Sequence, residues 1–315
     1  MHRFKNILIL HDRRPGHQLT IKRGGDLARR NQARLTVVDV IEDDSWDSGE
    51  IYASASFREL KELVIEERQK DLESAIEPVR QQGLDVRAKL LFGKPFLEII
   101  REVLRENHDL VIKTAQGEGG LKGMLFGSTA THLMRKCPCP VWVVKEEENE
   151  RYDRIIAAVD PDLSDEQINE LNIKIMDVAT SLAKLEESEL LVVHAWSLHG
   201  ETILRGGVGR MDQEEIDSLV RETEATHSTR LNNLLQKYDL QDLNHRVHLL
   251  KGEAGRVIPE LVEKKRADLI VMGTLSRTGV AGFLIGNTAE KILNKVDCAV
   301  LAVKPDEFVT PVKLS

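Results

Sequence analysis

The strongest constraint on the fold of this 315-residue chain is an internal duplication. Residues 90–145 align without gaps with residues 249–304, at an offset of 159 positions. In the first copy the recurring residues are Gly93, Asp109, Leu110, Gly120, Gly123, Gly127, Thr129, Cys139, Val141, Val144 and Lys145. A period of this length is too large for a solenoid repeat and fits a whole domain. The duplication therefore predicts two homologous domains.

Composition fixes the setting of these domains. With 41% hydrophobic residues, the chain has enough apolar side chains for two cores. We expect domains at residues 1–145 and 154–315, joined by a charged linker at 146–153 without an apolar anchor. No apolar run approaches the roughly 18 residues of a membrane span. Three cysteines, an odd number, argue against a disulfide framework. We therefore expect a cytoplasmic protein with no membrane partner.

The charge distribution gives no support for nucleic-acid binding. The chain has a formal net charge of −8. Residues 1–145 hold 24 basic and 21 acidic residues, and residues 146–315 hold 20 and 31. Neither half has the excess of Lys and Arg that an electrostatic footprint on nucleic acid requires, so we expect no nucleic-acid partner.

Apolar strand runs alternate with helical stretches in both halves. We predict strands at Ile7–Leu10, Ala33–Ile41, Val86–Leu91, Asp109–Thr114 and Val141–Lys145, and again at Arg154–Val159, Glu189–Ala195, Arg246–Leu250, Asp268–Gly273 and Ala299–Lys304. A long helix before the third strand has an apolar stripe of Phe57, Leu60, Val64, Leu72, Ala75 and Val79. The pattern predicts an α/β fold with two doubly wound, five-stranded parallel sheets. Such sheets bind ligands at the carboxyl ends of their strands, where the winding reverses.

A glycine-rich segment follows the fourth strand of the second half and leads into a helix at Gly286. Glycines let the backbone approach a phosphate closely, and the exposed N–H groups at the start of a helix favour an anion. Arg277 could add a charged contact, and Asn287 or Thr288 could cap the helix or touch a phosphate oxygen. The same spacing fits a loop that only turns the chain, and both interpretations stay open.

This segment resembles the universal stress protein signature: a glycine, two residues, a glycine, nine residues, then a glycine followed by Ser or Thr. The duplication spans nearly the whole chain, as in tandem members of that family. The chain is similar to the E-type branch in five stretches: Lys113–Gln116, His132–Pro138, Pro140–Lys145, Gly286–Glu290 and Lys304–Val312.

The resemblance implies a pocket for ATP or a related adenine nucleotide, with or without Mg²⁺. In the second half the implied residues are Val159, Asp160, Ala195, Met272, Gly273, Ser276, Arg277, Gly279, Gly286, Asn287 and Thr288. In the first half they are Asp12, Val40, Thr114, Gly117, Gly127, Ser128 and Thr129, with His11 and Lys113 beside them. Asp160 would meet the adenine or the ribose, and residues 286–288 would hold phosphate. Asp12 and Asp160 fit a helix cap equally well.

Both copies depart from the signature. The first has Thr114 in place of the initial glycine, and Glu118 where the second has Arg277. A side chain at Thr114 would crowd a nucleotide, and a carboxylate would repel phosphate. The second has Ser276 for the middle glycine and Asn287 for the usual Ser or Thr, which are milder changes. We therefore expect nucleotide in the second half.

The resemblance favours a regulatory stress protein, non-catalytic or weakly catalytic, that binds nucleotide or another small anion as a sensor or switch. The last strands of the two halves would pair in an internal pseudo-dimer, because that strand mediates dimer pairing in the family. A homo-oligomer or a regulatory protein is the expected partner. One alternative is slow ATP hydrolysis in the second half, with Asp160 or Asp162 holding a metal. Another is a nucleotide-sugar or lipid-like ligand, with Ser45–Phe57 and Trp196–Met211 as lids.

The Cys137-Pro-Cys139-Pro motif, with His132 nearby, admits a metal or redox interpretation. Cys139 recurs as Cys298 at the start of a last strand, where a small buried hydrophobic side chain also fits. The histidines near strand ends are His11, His17, His194 and His199. No nucleophile is legible beside them, so we predict no catalytic residue and no metal site.

Overall fold

The computed structural model describes residues 4–13, 16–42, 55–115, 126–145, 151–162, 166–206, 211–274 and 285–314. Within them the chain forms two compact units. The first unit contains the first copy of the repeat and the end of the chain from Ala299. The second unit contains residues 152–274 and 285–298.

The first unit is an alternation of strands and helices. Its strands are β1 (Asn6–Leu10), β2 (Arg34–Ile41), β3 (Val86–Phe92), β4 (Leu110–Thr114) and β5 (Val141–Val144), joined by β10 (Ala299–Val303). Its helices are α1 (His17–Asn31), α2 (Ala55–Arg80), α3 (Pro95–Glu106) and α4 (Gly127–Lys136). The strand order is β3-β2-β1-β4-β5-β10. The pairs from β3 to β5 are parallel, and β10 is antiparallel to β5.

The second unit repeats this plan. Its strands are β6 (Arg154–Ala158), β7 (Glu189–Trp196), β8 (His245–Lys251) and β9 (Leu269–Gly273). Its helices are α5 (Glu166–Glu186), α6 (Glu201–Arg205), α7 (Gln213–Leu235), α8 (Ala254–Lys265) and α9 (Asn287–Leu293). The strand order is β9-β6-β7-β8, and all pairs are parallel. The winding therefore reverses beside β1 in the first unit and beside β6 in the second.

The central strands are buried on both faces. All five residues of β1 and of β4 are buried, and so are residues Leu35–Ile41 of β2. Helix α1 packs against β1 and β4, and α3 packs against β2 and β3. Continuous apolar runs of this kind form strands because helices cover both sides of a parallel sheet. Among the helices in the described part of the chain, none is long and apolar enough to cross a membrane.

Several recurring residues have structural roles in both copies. Gly93 and Gly252 have φ values of 127° and 137°, which residues other than glycine rarely adopt. The carboxylate of Asp109 accepts hydrogen bonds from the backbone N–H groups of Lys5 and Asn6, at 2.5 and 3.0 Å. Asp268 accepts the same two bonds at the start of β6, both at 2.8 Å. The recurring aspartate therefore holds the start of the first strand in each copy, β1 or β6, through backbone hydrogen bonds.

The structure confirms the predicted order of strands, including the pairing of the two last strands. Val300 lies opposite Val143, and Ala302 opposite Val141. Three details were wrong. Leu60, which was predicted to lie in the apolar stripe of α2, is 53% exposed. Residues 196–211 contain the end of β7 and helix α6. Tyr152, within the predicted linker, is buried and anchors it.

Candidate functional site

The residues predicted to form a site collect at the carboxyl ends of the strands. In the first unit these are the ends of β1, β2 and β4, and in the second unit the ends of β6, β7 and β9. This edge of each sheet is where the winding reverses, which is the usual ligand position in an open α/β sheet. Gly117, Ser276, Arg277 and Gly279 lie outside the described residues.

In the first unit an ion pair occupies the ends of β1 and β4. Lys113 Nζ lies 3.1 Å from Asp12 Oδ2, and the two side chains are 4% and 12% exposed. Lys113 Nζ also donates to the Thr114 carbonyl, at 2.6 Å. The Asp12 carboxylate, predicted to meet a ribose or to cap a helix, instead neutralises a buried lysine. Both ions gain from this pairing because neither is well hydrated.

A second ion pair lies at the end of β2. Arg68 of α2 binds both carboxylate oxygens of Asp39, at 2.5 and 2.6 Å. The same guanidinium donates to the Val40 carbonyl, at 3.2 Å. Asp39 is 2% exposed and Arg68 is 16% exposed. Val40 was predicted to contact the base of a nucleotide, but its carbonyl oxygen already accepts a bond from the protein itself.

The remaining first-unit residues divide between packing and exposure. The hydroxyls of Thr114 and Thr20 hydrogen-bond at 2.9 Å, and both residues are fully buried. The Thr114 side chain is thus tied to α1. Gly127 has a φ of 72°, in the left-handed region that favours glycine. Of the next two residues, Ser128 is exposed and Thr129 is half-buried.

His11 also lies at this edge. Its Nε2 is 3.3 Å from Asp71 Oδ2, and its ring meets that of His17 edge-on at 4.7 Å. Burial lowers the pKa of His11, although the hydrogen bond that its ring donates to Asp71 opposes the shift. His11 is therefore a buried side chain beside the first site, and its lowered pKa favours the neutral imidazole.

The second unit leaves more of this edge accessible. The Asp160 side chain is 52% exposed, and its backbone N–H donates to Asn172 Oδ1 at 2.7 Å. Ala195 is half-buried, whereas Val159 and Met272 are buried. Asn172 therefore orients the backbone at Asp160, and the half-exposed carboxylate lies 3.8 Å from His194 Nδ1.

Gly273 has a packing reason of its own. A Cβ at this position would lie 2.7 Å from Leu171 Cδ2 and 3.3 Å from Leu171 Cγ. A side chain at Gly273 would therefore require the Leu171 side chain of α5 to shift. The matching position in the first unit, Thr114, fills this space with its own hydroxyl contact to α1.

The two ends of the glycine-rich loop meet each other. The Gly286 N–H donates to the Thr274 carbonyl at 3.0 Å, and the Gly286 carbonyl accepts from Glu290 N–H at 2.9 Å as α9 begins. Gly286 has φ −60° and ψ 143°, values that any residue adopts. Asn287 and Thr288, the first residues of α9, are exposed. Their polar side chains are therefore available at the same edge as Asp160.

Sequence reasoning missed a histidine pair in the second unit. His194 has the position in β7 that Asp39 has in β2, and His227 of α7 faces it as Arg68 faces Asp39. His194 Nε2 lies 2.8 Å from His227 Nδ1, and His194 Nδ1 lies 3.1 Å from the Val159 carbonyl. Because a carbonyl only accepts, Nδ1 of His194 carries the proton. The sequence held one signal of this pair: His194 lies five residues after the start of β7, as Asp39 does in β2.

The metal interpretations receive no geometric support. Among the described residues, no group of three or more His, Cys, Asp and Glu side chains could hold a metal ion. Asp162 lies 3.8 Å from the Arg230 guanidinium. His132 stacks on Phe96, with ring centroids 4.3 Å apart.

Comparison with known proteins assigns the family. The model of the Universal stress protein family matches residues 3–145 and again residues 151–304. The chain belongs to the universal stress protein family. It carries two domains of that family in tandem, as the duplication predicts.

Full-length relatives support a two-domain universal stress protein. The chain is 29% identical to universal stress protein E of Salmonella typhi over 313 residues, covering 99% of this chain and 98% of that protein. It is 28% identical to universal stress protein E of Escherichia coli K12, covering 99% and 97%. A universal stress protein structure from Archaeoglobus fulgidus matches with a TM-score of 0.64 and 19% identity, covering 97% of this chain and 98% of that one. That last likeness concerns the fold alone.

Proposed function

We propose that this chain is a stress-response regulator that binds an adenine nucleotide in its second domain. One contrast carries the proposal. The first unit closes its strand ends with its own charged side chains, and Asp12 is 12% exposed. The corresponding Asp160 of the second unit is 52% exposed. A ligand at the second edge displaces water, whereas one at the first edge would have to break buried ion pairs.

The second-unit residues supply suitable chemistry for each part of a nucleotide. Asp160 accepts hydrogen bonds from ribose hydroxyls or the base. The apolar surroundings of the base and sugar are Val159, Ala195, Met272 and Gly273. Gly286, Asn287 and Thr288 lie at the start of α9 and would hold phosphate there. By the family resemblance, Ser276, Arg277 and Gly279 complete the phosphate contacts, and Mg²⁺ would accompany the phosphates.

The proposed role is binding without catalysis. A bound nucleotide stabilises the form of the protein that binds it better, and this shifts its association with a regulatory partner or a second copy of the chain. We also propose a cytoplasmic location, which the three cysteines support because none of them is in a disulfide and reducing compartments keep disulfides from forming.

Calorimetric titration with ATP and Mg²⁺ tests the site through a matched pair of variants. Asn287→Asp and Ser128→Asp place a carboxylate at equivalent exposed positions at the start of α9 and α4. A carboxylate in the first turn of a helix favours the helix, so both variants should fold. Next to phosphate, however, it repels the ligand.

We expect Asn287→Asp to weaken ATP binding at least tenfold, a change of about 1.4 kcal/mol, and Ser128→Asp to leave it unchanged. Gly286→Val is a second test, because its backbone angles accept valine while the side chain would fill the phosphate position. Binding lost in Ser128→Asp would assign the nucleotide to the first domain. Absence of binding at millimolar ATP would refute the proposal.

A further inference from the structure

Two buried thiols lie side by side at the end of α4. Cys137 caps the C-terminus of the helix, and Cys139 lies two residues before β5. Their Sγ atoms are 3.5 Å apart, within hydrogen-bonding distance for sulfur. Cys137 is fully buried and Cys139 is 8% exposed. The nucleotide proposal uses neither thiol.

A buried lysine accompanies the pair. Lys304 follows β10 directly and is 2% exposed. Its Nζ donates to the Met134 carbonyl in the last turn of α4 and lies 4.7 Å from the centre of the Phe308 ring. Burial lowers the pKa of Lys304 to about 8, and the two thiols oppose that shift. An ammonium this buried is stabilised by negative charge nearby, and a thiolate supplies such charge.

The pKa values of the two thiols are shifted in opposite directions. Burial by itself raises the pKa of Cys137, but hydrogen bonds from Cys139 and the charge of Lys304 outweigh burial, so that the pKa falls below its ordinary value. The hydrogen bond to Cys137, followed by burial and the charges of Cys137 and Asp109, raises the pKa of Cys139 well above that value. Cys137 is thus suited to attack as a thiolate, and Cys139 keeps its proton.

We propose that Cys137 and Cys139 form a redox-active dithiol that hydroperoxides oxidise to an intramolecular disulfide. The Cys137 thiolate attacks the terminal oxygen of the hydroperoxide, the O–O bond breaks, and Cys137 becomes a sulfenic acid. The alkoxide or hydroxide that leaves takes a proton from solvent and becomes an alcohol or water. The Cys139 sulfur then attacks the Cys137 sulfenic acid. The S–S bond forms, the S–O bond breaks, and hydroxide leaves with the Cys139 proton as water.

The chain contains its own control for this reaction. Cys298 occupies the position of Cys139 in the second copy, and Val296 stands where the first copy has Cys137. Cys298 is also buried, with 1% exposure. It therefore matches the burial of the pair but has valine at the neighbouring position. Because both cysteines are buried, a faster oxidation of Cys137 than of Cys298 would be due to the neighbouring Cys139 thiol and not to a difference in burial.

Peptide mass spectrometry of the full chain tests the proposal. The reduced protein is treated with hydrogen peroxide at pH 7, and the remaining thiols are alkylated under denaturing conditions. Trypsin separates a Cys137–Lys145 peptide, which contains both thiols, from the peptide that contains Cys298. We expect the first peptide to lose two hydrogens, Cys298 to remain alkylated, and dithiothreitol to reverse the change.

Variants define each role. Cys139→Ser should stop the reaction at a Cys137 sulfenic acid that a cyclic diketone traps, and Cys298→Ser should still form the disulfide. Lys304→Met should slow Cys137 oxidation roughly tenfold at pH 7, because the thiolate fraction falls by that factor per pKa unit. Raising the pH should restore the rate. Oxidation of Cys137 no faster than that of Cys298, or two sulfinic acids without a disulfide, would overturn the proposal.

Discussion

Single residues explain why the two copies of one fold differ at their strand ends. Asp39 and Arg68 form a buried ion pair in the first unit, and His194 and His227 form a hydrogen-bonded pair in its place in the second. The gapless alignment around residues 90–145 does not reveal this exchange. Between β2 and β7 the offset is 155 positions, because the connecting loops of the two copies differ in length.

Removing one member of the first pair should destabilise the protein strongly. We expect Arg68→Ala to lower the free energy of unfolding by about 3 kcal/mol, since Asp39 would remain buried and charged. The double variant Asp39→Ala/Arg68→Ala should regain part of that loss. Urea unfolding followed by circular dichroism measures both. An equal loss in the single and double variants would show that the pairing of the charges is not the cause.

Buried histidines should make the protein sensitive to acid. Burial lowers the pKa of His108, and this effect outweighs the backbone of Asn6 and the carboxylates of Glu102, Glu106 and Asp109, which oppose the shift. The unfolded chain, with an ordinary histidine pKa of about 6.5, therefore binds more protons below that pH. The stability that a neutral His108 contributes is fully present above about pH 6.5 and is lost as the pH falls toward its lowered pKa in the folded state.

The variant His108→Gln should flatten this decline. We expect its loss of stability between pH 7 and pH 5.5 to be smaller than that of the unaltered protein, with a difference in slope of up to about 1.4 kcal/mol per pH unit. Urea midpoints across this range measure the slopes. Identical slopes would mean that His108 binds protons equally in the folded and unfolded states. His11, His132 and His248, whose pKa values are lowered too, remain as a common background.

Among the elements, the contact between β9 and α5 gives Gly273 a structural role beside its proposed ligand role. A side chain there would overlap Leu171. We expect Gly273→Thr, which copies the first unit, to destabilise the protein by about 1–3 kcal/mol. Adding Leu171→Ala should relieve the overlap, so that the double variant is more stable than the sum of the single changes predicts. Additive losses would show that the two residues do not clash.

The strands were predicted closely because their signal is strong. Runs such as Ile7–Leu10 and Val141–Val144 are apolar without interruption, and they form β1 and β5 almost as predicted. Helix α6 was missed because none of its five residues is buried, so it leaves no apolar periodicity. The site was predicted by position alone: the sequence places Asp12 and Asp160 at matching strand ends, but the partner Lys113 arrives from β4 and makes one of them unavailable.

At the scale of the whole molecule, the end of the chain completes the first unit. Strand β10 lies antiparallel to β5, and Val141, Val143, Val300 and Ala302 are all buried. Without β10 the chain would expose a valine-rich strand edge, which is a template for association. The pairing therefore protects β5 as well as joining the last strand to the first unit.

Truncation tests this role. A chain ending at Cys298 should associate into dimers or larger species, measured by light scattering after size exclusion, whereas one ending at Phe308, which keeps β10, should behave as the full chain does. Equal behaviour of the two truncated chains would show that β10 does not protect the edge of β5.

We propose that nucleotide binds in the second domain and not in the first. Hydrogen–deuterium exchange with and without ATP and Mg²⁺ tests it most directly, because the two copies yield separate peptides. We expect protection in peptides that contain residues 158–162, 194–198 and 285–290, at the ends of β6 and β7 and the start of α9. Peptides with residues 10–13, 39–42 and 126–131 should exchange unchanged. Protection in the first-unit peptides, or in neither set, would contradict the account.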